Sequence, residues 1–492
     1  MTTLFPTTAK ARRPEIGQRR PNVLVVLTDD QRADSMDLLP KTRAWLEATG
    51  VTYTTAVATT PLCCPSRSSI FTGQYVHNHG VKQLFEPHLL DQTTTIQFQL
   101  RRAGYLTAIA GKYLNAWDYC NVDPPHFDRW AVFEQGYTNA VFRVDDRSPG
   151  GIGVPLGCMF GAEVGDQQVI SVPYSTTFIG DRAVEYLDWF ELEDATPWLM
   201  FVHPFAPHYP YEPEEKYSTA DVPQWERNPA VGELDMSDKP PHVRARGWVD
   251  DKAKEEARAN YLRTLISVDD QVERLRSRLD ALDEARDTLV IFLSDHGYLW
   301  GEHRLIEKRE AYRWSLEIPM LAAWPACSVP GDACPTSLEP GAEDDRLVAN
   351  IDVAPTIYQA AGVAPDYTVD GRSLLEKWER PEILVEYWTD GPVTGVVTGD
   401  DLPFVPTWAG LWSDRYLYRE LYYDEFDNFG ISVDTPLRPR TDVEREYYDY
   451  QVDPFELANL FGDSDPTTPG VDAASLARRL SDARSCAGAS CP

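Results

Sequence analysis

Asn22-Val23-Leu24-Val25-Val26-Leu27-Thr28-Asp29-Asp30-Gln31 is the stretch on which the architecture turns. Val23 to Leu27 is unbroken apolar sequence rich in β-branched residues. Such a run predicts a strand buried on both faces, inside a sheet covered by helices. It ends in two adjacent carboxylates, which repel each other unless a cation sits between them. The plainer reading is a solvated turn that caps a helix. Far downstream, Thr288–Leu293 repeats the pattern and ends in Ser294-Asp295-His296-Gly297. Open α/β sheets build their sites outside the carboxyl ends of their strands. Asp29, Asp30, Asp295 and His296 are therefore expected to converge on one hard cation.

Outward from these two strands, the pattern predicts helices at Leu38–Thr49, Thr93–Arg102, Thr176–Phe190 and Ala253–Asp287. The last carries an apolar stripe, Tyr261, Leu265, Val268, Val272, Leu275, Leu279 and Leu282, at the spacing of core packing against a sheet. Tyr105–Ala110 and Pro197–Val202 read as further buried strands. Trp117–Val172 has little periodicity and is expected to be a long irregular insertion walling a pocket. Pro210–Val249, rich in Pro and charge, reads as a surface excursion. Ile383–Tyr387, Thr407–Trp412 and Tyr416–Tyr423 are short strands between turns, and Ala473–Arg484 is a closing helix. The expected division is a disordered segment over 1–21, a catalytic α/β domain over 22–378, and a smaller antiparallel-sheet subdomain over 379–492.

Acidic residues outnumber basic ones by 77 to 46 in 492 residues, a net charge of −31. That field excludes nucleic acid or an anionic membrane surface as a partner for the whole molecule. No apolar run reaches the length of a membrane span. Arg12-Arg13 and Arg19-Arg20 have no apolar core behind them, so the start does not read as a signal peptide. The cytoplasm is the expected compartment, with export if the true N-terminus differs. Eight cysteines in this length are no disulfide scaffold. Cys486 with Cys491 and Cys327 with Cys334 are spaced either to bridge or to stay thiols.

Pro61-Leu62-Cys63-Cys64-Pro65-Ser66-Arg67-Ser68-Ser69-Ile70-Phe71-Thr72-Gly73, followed by His77-Asn78-His79, resembles the signature of the formylglycine-dependent sulfatases of the alkaline phosphatase superfamily. The resemblance covers Asn22 to about Leu460. Its motifs are nearest the N-acetylglucosamine-6-sulfatase and heparan sulfatase branch. It implies an alkaline-phosphatase-like large mixed sheet flanked by helices. It also implies that a formylglycine-generating enzyme oxidises Cys63 to an aldehyde. The hydrated aldehyde attacks sulfur with one hydroxyl and uses the other to expel sulfate afterwards. The apolar turn Ser68–Phe71 predicts a helix beginning just after Cys63, with its positive end toward an anion. Arg67 adds a guanidinium suited to oxyanions.

By the same resemblance, Lys112 in Gly111-Lys112-Tyr113-Leu114-Asn115 matches the sulfate-contacting lysine. Leu114 stands where many arylsulfatases have histidine, which leaves one contact unassigned, with Asn115 as a stand-in. His208 in Ala206-Pro207-His208-Tyr209-Pro210 is the implied general acid, and His203 is structural. Lys308, with Arg309 beside it, matches the lysine that bridges sulfate and leaving oxygen. Asp29, Asp30, Cys63, Asp295 and His296 form the implied metal shell. Calcium is the family's usual ion, and the histidine ligand brings magnesium and manganese within range. The implied partner is a sulfated small molecule or carbohydrate, an amino sugar or glycosaminoglycan end. Two rivals remain: a phosphonate monoester or phosphodiester hydrolase of the same superfamily, and a non-catalytic binder of sulfated ligands if Cys63 stays a thiol.

Overall fold

The computed structural model describes residues 20–117, 123–145, 168–193, 195–247, 251–327, 338–389, 393–394, 401–402, 405–422, 443–461 and 470–492. Ten strands form the main sheet: β1 (Asn22–Thr28), β2 (Gly50–Tyr53), β3 (Leu106–Gly111), β4 (Arg129–Gln135), β5 (Thr138–Val144), β6 (Gln168–Tyr174), β7 (Trp198–His203), β8 (Thr288–Ser294), β9 (Met320–Ala323) and β10 (Ala342–Asp344). Their order across the sheet is β10-β2-β9-β8-β1-β7-β3-β4-β5-β6. The five central strands, β8 to β4, run parallel, and antiparallel pairings flank them on both sides. All seven residues of β1 are buried, as its apolar run predicts.

Alternation along β1 divides the interior into two cores. Val23, Val25 and Leu27 face α2 (Cys63–Thr72), α3 (Ile96–Arg102) and α6 (Val353–Ala361). Leu24 and Val26 face α1 (Pro40–Thr49), α4 (Ser175–Phe190) and α5 (Asp251–Ala281). The predicted stripe on α5 is the buried one, from Tyr261 to Leu279, with Leu282 half-buried beyond the helix end. Truncating one of its leucines to alanine would cost about 2–5 kcal/mol.

A second sheet of four antiparallel strands, β11 (Ile383–Tyr387), β12 (Thr407–Trp412), β13 (Tyr416–Tyr422) and β14 (Glu444–Asp449), pairs in chain order. Helix α7 (Ala473–Ala483) buries Leu476 and Leu480 in the same apolar cluster, which also takes in Leu305, Tyr312 and Leu316 from the loops after β8. No described helix is long and apolar enough to cross a membrane. The large mixed sheet with its small antiparallel companion is the architecture expected above.

Three local expectations are corrected. The part of Trp117–Val172 that is described is not irregular: β4, β5 and β6 extend the main sheet as an antiparallel edge. A bulge between Phe133 and Gln135 breaks the alternation that would have marked it. By the family resemblance Glu317–Leu321 is also expected to be a strand walling the pocket; it starts only at Met320, beyond Pro319, because proline lacks the N–H its ladder needs. Pro210–Val249 is not all surface, since Ala230, Val231, Lys239, His242 and Val243 are buried. Cys486 and Cys491 are disulfide-bonded. The other cysteine pair and the N-terminal 19 residues lie outside what is described.

Candidate active site

Strand register brings the chemistry to one edge. Thr28 lies opposite Ser294, so Asp29-Asp30 and Asp295-His296 leave β1 and β8 side by side. Gly111 lies opposite His203, so Lys112 and the His203–Pro210 loop leave β3 and β7 together. Backbone bonds stitch these ends: Asp295 N–H to Thr28 O at 3.1 Å, Asp29 N–H to Ala206 O at 3.2 Å, and Lys112 N–H to His203 O at 2.9 Å. Gly111 is obligatory here. Its φ is +113°, and an added Cβ would stand 2.0 Å from the His203 carbonyl oxygen.

Helix α2 begins at Cys63 itself, not just after it as expected, because Pro65 fits the first turn, where no N–H partner is needed. All ten of its residues are buried, so its hydroxyls must find partners. Ser68 donates to Cys64 O at 2.8 Å and Thr72 to Ser68 O at 2.7 Å. Ser66 donates to Asp295 O at 2.5 Å and itself accepts from Asn350 Nδ2 at 2.9 Å. The helix thus carries Cys63 into the strand ends and is pinned to β8 by Ser66.

Around Cys63 Sγ stand Lys308 Nζ at 3.1 Å, His296 Nε2 at 3.3 Å and Asp29 Oδ1 at 3.6 Å. Lys112 pairs with Asp29, and Lys308 Nζ donates to Asp30 Oδ1 at 2.6 Å. Arg67 Nε donates to Asp295 Oδ2 at 2.9 Å. Its Nη2, 3.5 Å from Asp29 Oδ2, has no hydrogen-bond partner among the described residues. Burial opposes charge throughout, yet Lys112 and Arg67 hold the Asp29 carboxyl well below its usual range. Burial likewise opposes the Cys63 thiolate, but Lys112 and Lys308 hold the thiol well below the ordinary value. Asp295 goes the other way, pushed up to about 6 by burial and by Asp29. Asp30 at φ +68°, and Glu307 and Arg309 at +85° and +83° on either side of Lys308, hold left-handed backbone rare in L-residues.

His208 differs from this buried set. Its side chain is 24 % exposed, with Nε2 3.7 Å from Asp30 Oδ2 and Nδ1 donating to Tyr209 O at 2.7 Å. Burial disfavours its imidazolium, but Asp30, Asp29 and Cys63 together outweigh that and raise its pKa. The group best placed to pass a proton outward therefore stands at the mouth of the site.

The donor set fits a divalent cation. Ligand atoms of Asp29, Cys63, Asp295 and His296 lie within 4.8 Å of one another, as do those of Asp29, Asp30, Cys63 and His208. His296 Nδ1 bonds the Gly297 carbonyl at 2.9 Å, so Nδ1 carries a proton and Nε2 is the nitrogen turned to the cluster. Burial lowers the His296 pKa, but Asp295 and Cys63 lift it to about 9, so an ion bound there displaces a proton. Three crowded carboxylates with oxygen donors and one imidazole suit calcium, magnesium or manganese.

All the residues singled out from sequence, Asp29, Asp30, Cys63, Arg67, Lys112, His208, Asp295, His296 and Lys308, meet in this one place. His203 is fully buried and bonds the Lys112 carbonyl at 3.0 Å, alongside Arg67 Nη1 at 2.8 Å, so it orients the lysine segment. Leu114 is buried, and Asn115 Oδ1 has no hydrogen-bond partner among the described residues. Sequence reasoning missed Ser66, Thr59 and Asn350, the hydrogen-bonded chain behind Asp295. Ser66 lay inside the signature, but nothing local marks Asn350. Tyr261, which accepts from Arg32 N–H at 2.8 Å and donates to Asp30 O at 2.9 Å, was visible only as part of a core stripe.

Comparison with known proteins agrees with this geometry. The sequence profile of the sulfatase family matches residues 21–363. Human (Homo sapiens) N-acetylglucosamine-6-sulfatase is 28% identical over 96% of this chain and 86% of its own length. A solved structure in complex with its substrate D-glucosamine-2-N,6-O-disulfate superposes with a TM-score of 0.71 at 19% identity, covering 94% of this chain and 97% of that one. A phosphonate monoester hydrolase of Agrobacterium radiobacter shares the fold at a TM-score of 0.64 and 20% identity, over 91% of this chain and 92% of its own.

Proposed function

The chain belongs to the sulfatase family of sulfuric ester hydrolases, and from that premise we propose that its substrate is a sulfated amino sugar, free or at a glycosaminoglycan end. The observation that carries the reading is the setting of Cys63. It stands at the first turn of a buried helix, its Sγ within 3.1–3.6 Å of a lysine, an imidazole and a carboxylate. Relatedness to N-acetylglucosamine-6-sulfatases supports the amino sugar.

Formylglycine at position 63 supplies a hydrated aldehyde as nucleophile, with its own exit for sulfate. A divalent cation, calcium by our proposal, supplies Lewis acidity toward sulfate oxygens. Asp29, Asp30, Asp295 and His296 Nε2 would hold the ion. Arg67, through Nη2, and Lys112 and Lys308 neutralise charge growing on the sulfate. They do so with little reorganisation, because their positions are already set by Asp29, Asp30 and Asp295. His208 Nε2 gives its proton to the leaving alcohol, and Nδ1 on Tyr209 O keeps the ring turned for that transfer. Of the two compartments the sequence leaves open, the Cys486–Cys491 bridge supports export into an oxidising one over the cytoplasm, checked by the mass of the C-terminal peptide without reductant.

The test is to produce the chain with and without a formylglycine-generating enzyme. The mass of the peptide holding Cys63 is then compared with hydrolysis of N-acetylglucosamine 6-sulfate, an aryl sulfate and an aryl phosphonate. We expect the lighter aldehyde peptide, sulfate release that follows its yield, and loss of activity with a chelator that calcium reverses. A persistent thiol with the modifying enzyme present overturns the nucleophile. Faster phosphonate than sulfate hydrolysis overturns the substrate.

A further inference from the structure

The turn that presents Lys308 is held by the small sheet. Lys308 lies between two residues in left-handed backbone, Glu307 at φ +85° and Arg309 at φ +83°. Non-glycine residues stay there only when their surroundings over-determine them. On the upstream side, Ile306–Glu307 pairs antiparallel with Leu299–Trp300. On the downstream side the holds come largely from elsewhere in the fold. Arg309 N–H bonds Pro61 O at 3.2 Å, just before the signature helix. Trp408 of β12 donates its indole N–H to Arg309 O at 2.8 Å. Glu310 accepts from Arg419 Nη1 of β13 at 3.0 Å and bonds His242 Nε2 at 2.9 Å. Arg419 is itself clamped by Glu446 of β14 and lies over the Tyr312 ring, 4.7 Å from its centroid. These groups are fully or nearly buried, so solvent does little to weaken the chain of contacts.

We infer that Arg419 is a positioning residue for Lys308. Gripping Glu310 from the small sheet, it fixes the turn that carries the Lys308 ammonium to Cys63 and Asp30. Trp408 makes the same connection one residue nearer, at the Arg309 carbonyl. The inference rests on Lys308 contacting the sulfate ester, as proposed above.

The experiment is a double-mutant cycle on the full-length, aldehyde-bearing enzyme, with N-acetylglucosamine 6-sulfate as probe and melting temperature recorded for each variant. Arg419→Lys keeps the charge but loses the fork, and is expected to lower kcat/KM by about 10- to 100-fold, mostly in kcat, through misplacement of the ammonium. In the Lys308→Ala background the same change should cost less than about 3-fold, because the group it positions is gone. Trp408→Phe, which keeps an aromatic ring and drops the N–H, serves as a second arm should Arg419→Lys fold poorly, and should show the same non-additivity. Equal losses in both backgrounds overturn the inference and leave Arg419 a purely structural residue. An unchanged kcat/KM in Lys308→Ala alone overturns the role of Lys308, and the inference with it.

Discussion

The centre of the main sheet and the small sheet handle buried charge in opposite ways. In β1, β3 and β8 the strand bodies carry no charge, and the charges come just past the strand ends: Asp29, Lys112, Asp295. In the small sheet the charges sit within the strands, as Arg419 in β13 and Glu446 in β14, fully buried and paired with each other. A mid-strand ion pair is walled by its neighbours, so it braces the groups packed against it, as Arg419 does Glu310. Charges at strand ends keep a direction open. There Asp295 is lifted to about 6, and His208 faces outward. The lesson is that burial alone does not mark a site; charges gathered at the carboxyl ends of strands do.

That contrast breaks most visibly at Cys63. Cys63→Ala should lower sulfate release by on the order of 10⁴-fold or more while the melting temperature stays near wild type. A large loss of stability instead would make the cluster a structural one. His208→Ala is expected to cost about 10²- to 10⁴-fold with sugar sulfates and far less with aryl sulfates, whose leaving group needs no proton. Equal losses on both substrates would remove it as the acid. Lys112→Ala should lower kcat by about 10²- to 10³-fold, as for loss of one preorganised donor to a developing oxyanion, read from initial rates with saturating ester.

The smallest effect on turnover is expected on the other side of the contrast. Burial opposes the Glu310 carboxylate, but His242 and Arg419 hold it down at about 2 against an ordinary 4.5. A depressed carboxylate stabilises the fold above its unfolded value and loses that contribution as pH falls through its folded one. Wild type should therefore exceed Glu310→Gln by about 3 kcal/mol near neutrality, with the gap closing between about pH 4.5 and pH 2. Denaturant titrations of both proteins across that range check it. A gap that does not change with pH would mean that the pair contributes nothing.

Much of this was legible in the chain. Val23–Leu27 in β1 and Leu289–Leu293 in β8 are buried throughout, so continuous apolar sequence was a sufficient signal. The Cys63–Gly73 signature is local and dense. The antiparallel edge β4–β6 was not legible, because half-exposed strands with a bulge carry no clean period. Within the site, every side chain expected to touch the ester came from a strand end or the signature, apart from Lys308 in its turn beyond β8. The supports did not: Asn350 and Tyr261 act through hydrogen bonds to residues 284 and 231 positions away. Nothing in their own neighbourhoods reports that.

By itself the sequence determined which segments are buried strands, which residue types end them, and that a helix starts close to Cys63. These are local properties, set by hydrophobic period, turn chemistry and residue type. Only the tertiary structure decided that Thr28 and Ser294 lie level, so that four strand ends share one edge. It alone put Ser66 against Asp295, and it placed the Lys308 turn in the grip of Trp408 and Arg419. The physical reason is that register and long-range hydrogen bonding depend on how whole faces pack, and no short stretch of chain encodes its distant partner.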